Sequence, residues 1–252
     1  MDCKIIAIDM DGTLLNSKQK ISATNKKTIQ KALDKGIKVV LCSGRSYDGL
    51  SASAKELGIT GADQYLIEFG GSVIENLDQR VFYKEVLKNE DCRFIADYLV
   101  EQKITFHLID DQGTLYDGYQ DWLEKHMLDT KLGIVKIIVH THKRKLDKVY
   151  DQLQQKYGQD YYLVKTSSED FELFPLHVNK GTALEQLAKH LKVSLQEILA
   201  IGDYYNDLPM LKLAGKSVAV ANSVAAVKDI SDEVVSDNDH DGVSEAIEKF
   251  AL

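Results

Sequence analysis

The chain has 252 residues, 44% of them hydrophobic and 28% charged, enough for one large globular domain or two modest ones with a sizeable core. A formal net charge of −8 repels polyanions and argues against a nucleic-acid partner; the basic stretch His142-Lys143-Arg144-Lys145 reads as a solvated helix start. A phosphate-bearing ligand meets the same field, so a site for one must carry its own cations.

Cys3, Cys42 and Cys92 are odd in number and widely spaced, and they read as free thiols. The opening run Lys4–Ile8 is too short for a signal h-region or a membrane span and leads straight into charged residues. The expectation is a cytoplasmic protein with no membrane partner.

In chain order, Lys4–Asp9 is a continuous apolar run suited to a strand buried on both faces. Thr24 then caps a helix whose Ile29, Ala32 and Leu33 share a face, and Gly36 ends it. Lys38–Ser43 is a second strand, Tyr47–Leu57 a helix stopped by Gly58, and Tyr65–Ile67 a third strand. The middle changes character: helix 89–102, a hairpin over 105–116 around Gln112-Gly113, a helix near 119–128, strand 134–141, helix 145–157 and two more strands. Beyond it, helix 182–191, strand Leu199–Ile201, helix 206–213, strands 217–221 and 233–236 and a closing helix 242–250 restore the βα alternation. The fold class is α/β: a Rossmann-like parallel-sheet core of residues 1–80 and 177–252, interrupted by an α+β domain of residues 81–176.

The chemistry-bearing segments fall at strand ends, where open α/β sheets bind ligands. Asp9-Met10-Asp11-Gly12-Thr13 puts two carboxylates together, which implies a shared proton or a bound cation. Ser43-Gly44-Arg45 follows the second strand, and a small hydroxyl beside an exposed N–H makes a cradle for phosphate oxygens. Read alone, it is an ordinary turn. Gly202-Asp203-Tyr204-Tyr205-Asn206-Asp207 follows another strand; Asn206 or Asp207 can cap the next helix, but capping leaves Asp203 unexplained. Asp9, Asp11 and Asp203 offer the oxygen donors that Mg²⁺ prefers. Lys180 opens a helix, where a cation is misplaced unless anions are near; a cluster of carboxylates and an incoming phosphate would supply them.

Assembled, these four segments resemble the motifs of the haloacid dehalogenase superfamily of phosphatases, and within it the Cof-type subfamily with a type IIB cap. Asn222 and Asp241-Gly242-Val243 are similar to that family's C-terminal pattern. The resemblance implies that Asp9 is the nucleophile on phosphorus and Asp11 the general acid and then base. It implies Mg²⁺ on Asp9, on the Asp11 main-chain carbonyl and on Asp203, with Asp207 in support. Ser43, Gly44, Lys180 and Asn206 would hold the phosphoryl oxygens of a small-molecule monoester such as a sugar phosphate, and the insert would be a cap. Departures are Phe69-Gly70-Gly71 where many relatives carry Asn-Gly-Ala, Tyr204-Tyr205 in the fourth motif, and Ser223 after Asn222. A phosphomutase would use the same residues, and a phospho-aspartate switch would use Asp9 alone. The complete acid and lysine set argues against the switch. Tyr116, Tyr119, Trp122 and His126 read as cap core first and pocket wall second.

Overall fold

A computed structural model describes residues 2–126 and 132–252. Its residues divide into two compact units, Met1–Tyr83 with Lys180–Leu252, and Lys84–Asn179.

The first unit begins with β1 (Ile5–Asp9), α1 (Ala23–Asp34), β2 (Lys38–Cys42), α2 (Tyr47–Glu56), β3 (Tyr65–Glu68), β4 (Val73–Asn76) and β5 (Val81–Lys84). The second contains α3 (Asn89–Glu101), β6 (Thr105–Asp110), β7 (Leu115–Tyr116), α4 (Tyr119–His126), β8 (Ile134–His140), α5 (Leu146–Tyr157), β9 (Tyr161–Lys165) and β10 (Asp170–Pro175). The chain returns to the first with α6 (Lys180–Leu191), β11 (Ile198–Gly202), α7 (Leu208–Leu213), β12 (Lys216–Val220), α8 (Ala225–Ile230), β13 (Glu233–Val235) and α9 (Gly242–Phe250).

The first unit is built on one eight-stranded sheet, ordered β13-β12-β11-β1-β2-β3-β4-β5. β1 runs parallel to both β2 and β11, with Asp9 opposite Cys42 and Ile8 opposite Ile201. Strand order reverses at β1, so the ends of β1, β2 and β11 share one edge at the topological switch point. Side chains alternate between the two faces of the sheet. Ile6, Ile8, Val39, Leu41 and Leu199 pack with Ile29, Leu50 and Ile247 from α1, α2 and α9. Ile5, Ala7, Val40, Ile198 and Ala200 pack with Leu184, Leu187, Met210 and Val227 from α6, α7 and α8. Two covered faces explain why β1 is apolar without a break: each fully buried isoleucine contributes about 1.5–3 kcal/mol.

Some details differ from expectation. Ser22, not Thr24, caps α1, its Oγ accepting from the Asn25 amide at 3.0 Å; Thr24 already lies inside the first turn. The 206–213 helix is a 3₁₀ turn over Tyr205–Asp207 followed by α7, because Pro209 enters at the first turn of the helix proper. β4 and β5 were not expected. β3 pairs antiparallel with β4, and β5 beside β4 carries the first unit's sheet beyond residue 80, that unit running to Tyr83.

The second unit holds a five-stranded sheet ordered β7-β6-β8-β10-β9, with antiparallel pairings throughout β6, β8, β9 and β10. Phe106, Leu108, Ile137, Val139, Phe171 and Leu173 face Cys92, Ile95 and Leu99 of α3 and Leu153 and Tyr157 of α5 in one core. Tyr116 and Trp122 belong to this core, 2% and 3% exposed, and Tyr119 packs against it. The His126 side chain and residues 127–131, into which the expected 119–128 helix runs, lie outside the described residues.

Candidate active site

The turn after β1 is fixed from both ends. Met10, Leu14 and Leu15 are buried, and the amides of Leu14 and Leu15 return to the carbonyls of Asp9 and Met10 at 3.2 and 2.9 Å. Gly12 stands at φ +82°, and a Cβ there would lie 2.5 Å from Asp203 Oδ2, so conformation and space both require glycine. Its carbonyl accepts from Asn222 Nδ2 at 2.7 Å, and Thr13 Oγ1 donates to Asp203 Oδ1 at 3.1 Å. The β1 turn and the end of β11 are thereby tied together.

Asp9 is 4% exposed and Lys180 1%. The Lys180 ammonium donates to Asp9 Oδ1 and, at 2.7 Å, to Asp207 Oδ1. Asp207 Oδ2 accepts the amides of Asp203 and Tyr204 at 2.9 and 3.1 Å, so Asp207 caps the 3₁₀ turn and grips the lysine at once. A Cβ on Gly202 would lie 2.6 Å from the Asp207 Cβ, which explains the glycine before Asp203.

Carboxylate oxygens of Asp9, Asp203 and Asp207 lie within 4.8 Å of one another, and all three residues are buried. Burial, reinforced by the Asp207 charge, pushes the Asp9 carboxyl up to about 7 against the pull of Lys180. Burial followed by the Asp9 and Asp207 charges pushes Asp203 up to about 8. Burial disfavours the Lys180 charge, but the charges and hydrogen bonds of Asp207 and Asp9 outweigh it and hold the ammonium protonated. One ammonium does not neutralise three buried carboxylates. The donor set, all hard oxygen, fits a divalent cation such as Mg²⁺, which would relieve the repulsion.

Asp11 does not join this cluster. Its carboxylate is half-exposed and held by Arg45 through both oxygens, at 2.9 Å from Nε and 2.5 Å from Nη2. The Asp11 charge still acts on Asp9 and raises its carboxyl, as their closeness in sequence predicts, but its carboxylate is not one of the clustered oxygens. Asp11 lies beyond the end of β1, where the turn and Arg45 direct its carboxylate, and the carboxylates that cluster with Asp9 come from beyond β11. Arg45, quoted in its motif without a role, is the residue sequence reasoning missed. Its signal was an arginine directly after a strand-end Ser-Gly pair.

Ser43 is buried directly beyond β2, beside the Asp9–Cys42 pairing, with Gly44 next to it. Asn206 is half-buried in the 3₁₀ turn between Asp203 and Asp207. The sequence-derived residues thus sit on the edge formed by β1, β2 and β11 and on the first turn of α6.

Residues 6–247 match the model of the haloacid dehalogenase-like hydrolases. The chain belongs to that family. This haloacid dehalogenase-like hydrolase is 30% identical to the 5-amino-6-(5-phospho-D-ribitylamino)uracil phosphatase YwtE of Bacillus subtilis, over 98% of each chain. It is also 30% identical to a phosphoglycolate phosphatase of Methanobrevibacter smithii, over the whole of both chains. Among solved structures, a haloacid dehalogenase-like hydrolase from B. subtilis superposes with a TM-score of 0.87 at 28% identity, covering 99% of this chain and 100% of the other. No helix among the described residues is long and apolar enough to cross a membrane.

Proposed function

We propose that this hydrolase is a Mg²⁺-dependent phosphatase that cleaves a small-molecule phosphate monoester through an aspartyl-phosphate on Asp9. The observation that carries the reading is the buried meeting of Asp9, Asp203, Asp207 and Lys180 at the carboxyl edge of the sheet. Phosphoryl transfer asks chiefly for positioning and charge neutralisation, and this arrangement suits both.

Asp9 attacks phosphorus with one carboxylate oxygen, and the ester P–O bond breaks. Asp11 gives its proton to the departing oxygen, which requires that Arg45 release it first. Water then attacks the phosphorylated Asp9, Asp11 takes the proton from that water, and the P–O bond to Asp9 breaks to free inorganic phosphate. Lys180, the Ser43 hydroxyl, the Gly44 amide and Asn206 hold the phosphoryl oxygens meanwhile. Asp9, Asp203 and the Asp11 main-chain carbonyl would hold Mg²⁺; Asp207, both of whose oxygens are already engaged, supports the set by orienting Lys180 and the Asp203 amide. The metal supplies neutralisation of the transferring phosphoryl group and keeps Asp9 ionised.

The relatives named above act on different phosphate esters at equal identity, so no single substrate is carried over. The unit Lys84–Asn179 is assigned as the cap that reads the rest of the substrate, and the cytoplasm as the place of action. The test is phosphate release by the purified protein, with Mg²⁺ and with excess chelator, across sugar phosphates, nucleotides and flavin mononucleotide. Turnover that needs Mg²⁺ supports the reading; no release from any ester, or full release in chelator, rejects it.

A further inference from the structure

We propose that Asn222 is a positioning residue: with Ser223 and Val224 it staples the turn after β1 to the end of β11, and so sets the spacing of Asp9 and Asp203 across the proposed Mg²⁺ site. The proposal rests on the assignment of those two acids to the metal. The sequence singles out Asn222 beside the four motifs, yet the reaction as derived gives it no task.

The turn 221–224 follows β12, and β12 is not a neighbour of β1; β11 lies between them. Three consecutive residues of that turn reach back to the two strand ends that carry the acids. Asn222 Nδ2 donates to Gly12 O at 2.7 Å, Ser223 Oγ to Gly202 O at 3.3 Å and Val224 N–H to Asp203 O at 3.0 Å. The first bond crosses the end of β11 to reach the β1 turn. The other two hold the carbonyls before and after the Asp203 side chain, so its backbone is fixed on both sides. Neither side-chain bond serves the helix that follows: α8 begins at Ala225 with no side-chain cap.

Asn222 is exposed, where water can satisfy both ends of an amide, but both ends are engaged by backbone. Its Oδ1 accepts the Asn238 N–H at 3.1 Å while Nδ2 serves Gly12. A carbonyl only accepts and an N–H only donates, so the amide fits in one orientation, and neither an acid nor an apolar residue replaces it. Asn238 adds a second hold on the same turn, its Nδ2 donating to Leu15 O at 2.9 Å. Gly12, at φ +82° against Asp203 Oδ2, has no room for a side chain by which it could be held, so its peptide is gripped from outside. Ser223, a departure from the family pattern, is buried and adds the bond to Gly202 that an apolar residue would lack.

The experiment compares the parent with Asn222→Ala and Ser223→Ala by Mg²⁺ calorimetry, by Mg²⁺ titration of aryl phosphate hydrolysis, by thermal denaturation without Mg²⁺, and by hydrogen exchange over residues 10–15. Residues that orient a metal site from behind its ligands are worth roughly tenfold or more in metal affinity, so Asn222→Ala should weaken Mg²⁺ binding about tenfold and Ser223→Ala about threefold. The Mg²⁺ concentration for half-maximal rate should rise in step, excess Mg²⁺ should restore most of the rate, and exchange over residues 10–15 should quicken in Asn222→Ala. A lower Tm with parental Mg²⁺ affinity marks a merely structural turn and overturns the proposal, as does a lost rate that excess Mg²⁺ leaves unrestored. Should Asn222→Ala not fold, Ser223→Ala decides, and parental Mg²⁺ affinity in it overturns the proposal. Should the parent neither bind Mg²⁺ nor release phosphate, the functional reading fails on its own; the staple is then judged by exchange, and protection of residues 10–15 unchanged in Asn222→Ala overturns it.

Discussion

At the scale of single residues, the site is an electrostatic problem solved by burial and pairing. Asp9 accepts the Lys180 ammonium through Oδ1, which orients the carboxylate without using its second oxygen. On the proposed mechanism, Asp9→Asn keeps the shape but removes the anionic nucleophile, so phosphate release should fall by several orders of magnitude in a steady-state assay. Activity within tenfold of the parent would move the nucleophile elsewhere. Asp203 is held by Thr13 and brings its charge toward Asp9. Asp203→Ala should raise the Mg²⁺ concentration for half-maximal rate by at least about tenfold, a change on the scale of losing one buried charge partner. A Mg²⁺ titration of the rate checks it, and an unchanged midpoint removes Asp203 from the metal set.

At the scale of elements, the β1 turn is set by what stands opposite it. Gly12→Ala must take φ +82° and place its methyl against Asp203 Oδ2, so either the turn or Asp203 moves. The expected cost is about 1–2 kcal/mol for the left-handed backbone alone, read as a lower Tm. Mg²⁺ affinity should fall with it, measured by calorimetry; parental stability and affinity together would show that the turn has room to spare. A turn rich in Asp and Gly was legible in the sequence as a site for cation or phosphate. Arg45 as the partner of Asp11 was not, because the two stand 34 positions apart and the chain between them must first form α1 and β2 before the strand ends come side by side. Ser22 was passed over as the cap of α1 for a similar reason. Thr24 is also a capping type by sequence, and only the backbone tells which residue is extended, as Ser22 is at ψ 157°.

At the scale of the whole molecule, Glu68 adds a pH dependence of stability. Its ordinary value is 4.5 and burial raises it to about 8, so the folded state binds the proton more tightly than the unfolded one. That contribution is greatest below about pH 4.5 and is lost as pH rises through about 8, a decline on the order of 4 kcal/mol from this group. Thermal denaturation across that window should show a shallower decline for Glu68→Gln than for the parent; equal slopes would place the titrating group elsewhere. If the unit Lys84–Asn179 is the cap, exchanging it for a short linker should leave turnover of a generic aryl phosphate while erasing discrimination among natural phosphates. A folded capless protein that keeps the parent's ranking would transfer specificity to the core loops around Phe69 and Tyr204.

The sequence by itself determined the family, the parallel strands, the strand-end placement of Asp9, Ser43 and Asp203, and the place of Lys180 at the start of a helix. These are written locally, in apolar runs closed by polar residues at fixed short spacings. Only the tertiary structure decided which charges meet. It joined Asp9 to Asp203 and Asp207 through strand pairing across some 190 residues, gave Asp11 to Arg45 instead, and buried Glu68 at the end of β3. It also drew Tyr116 and Trp122 into the second unit's core. Periodicity reports which face of its own element a side chain takes, but not the neighbour it finds there, and buried electrostatics depends on that neighbour.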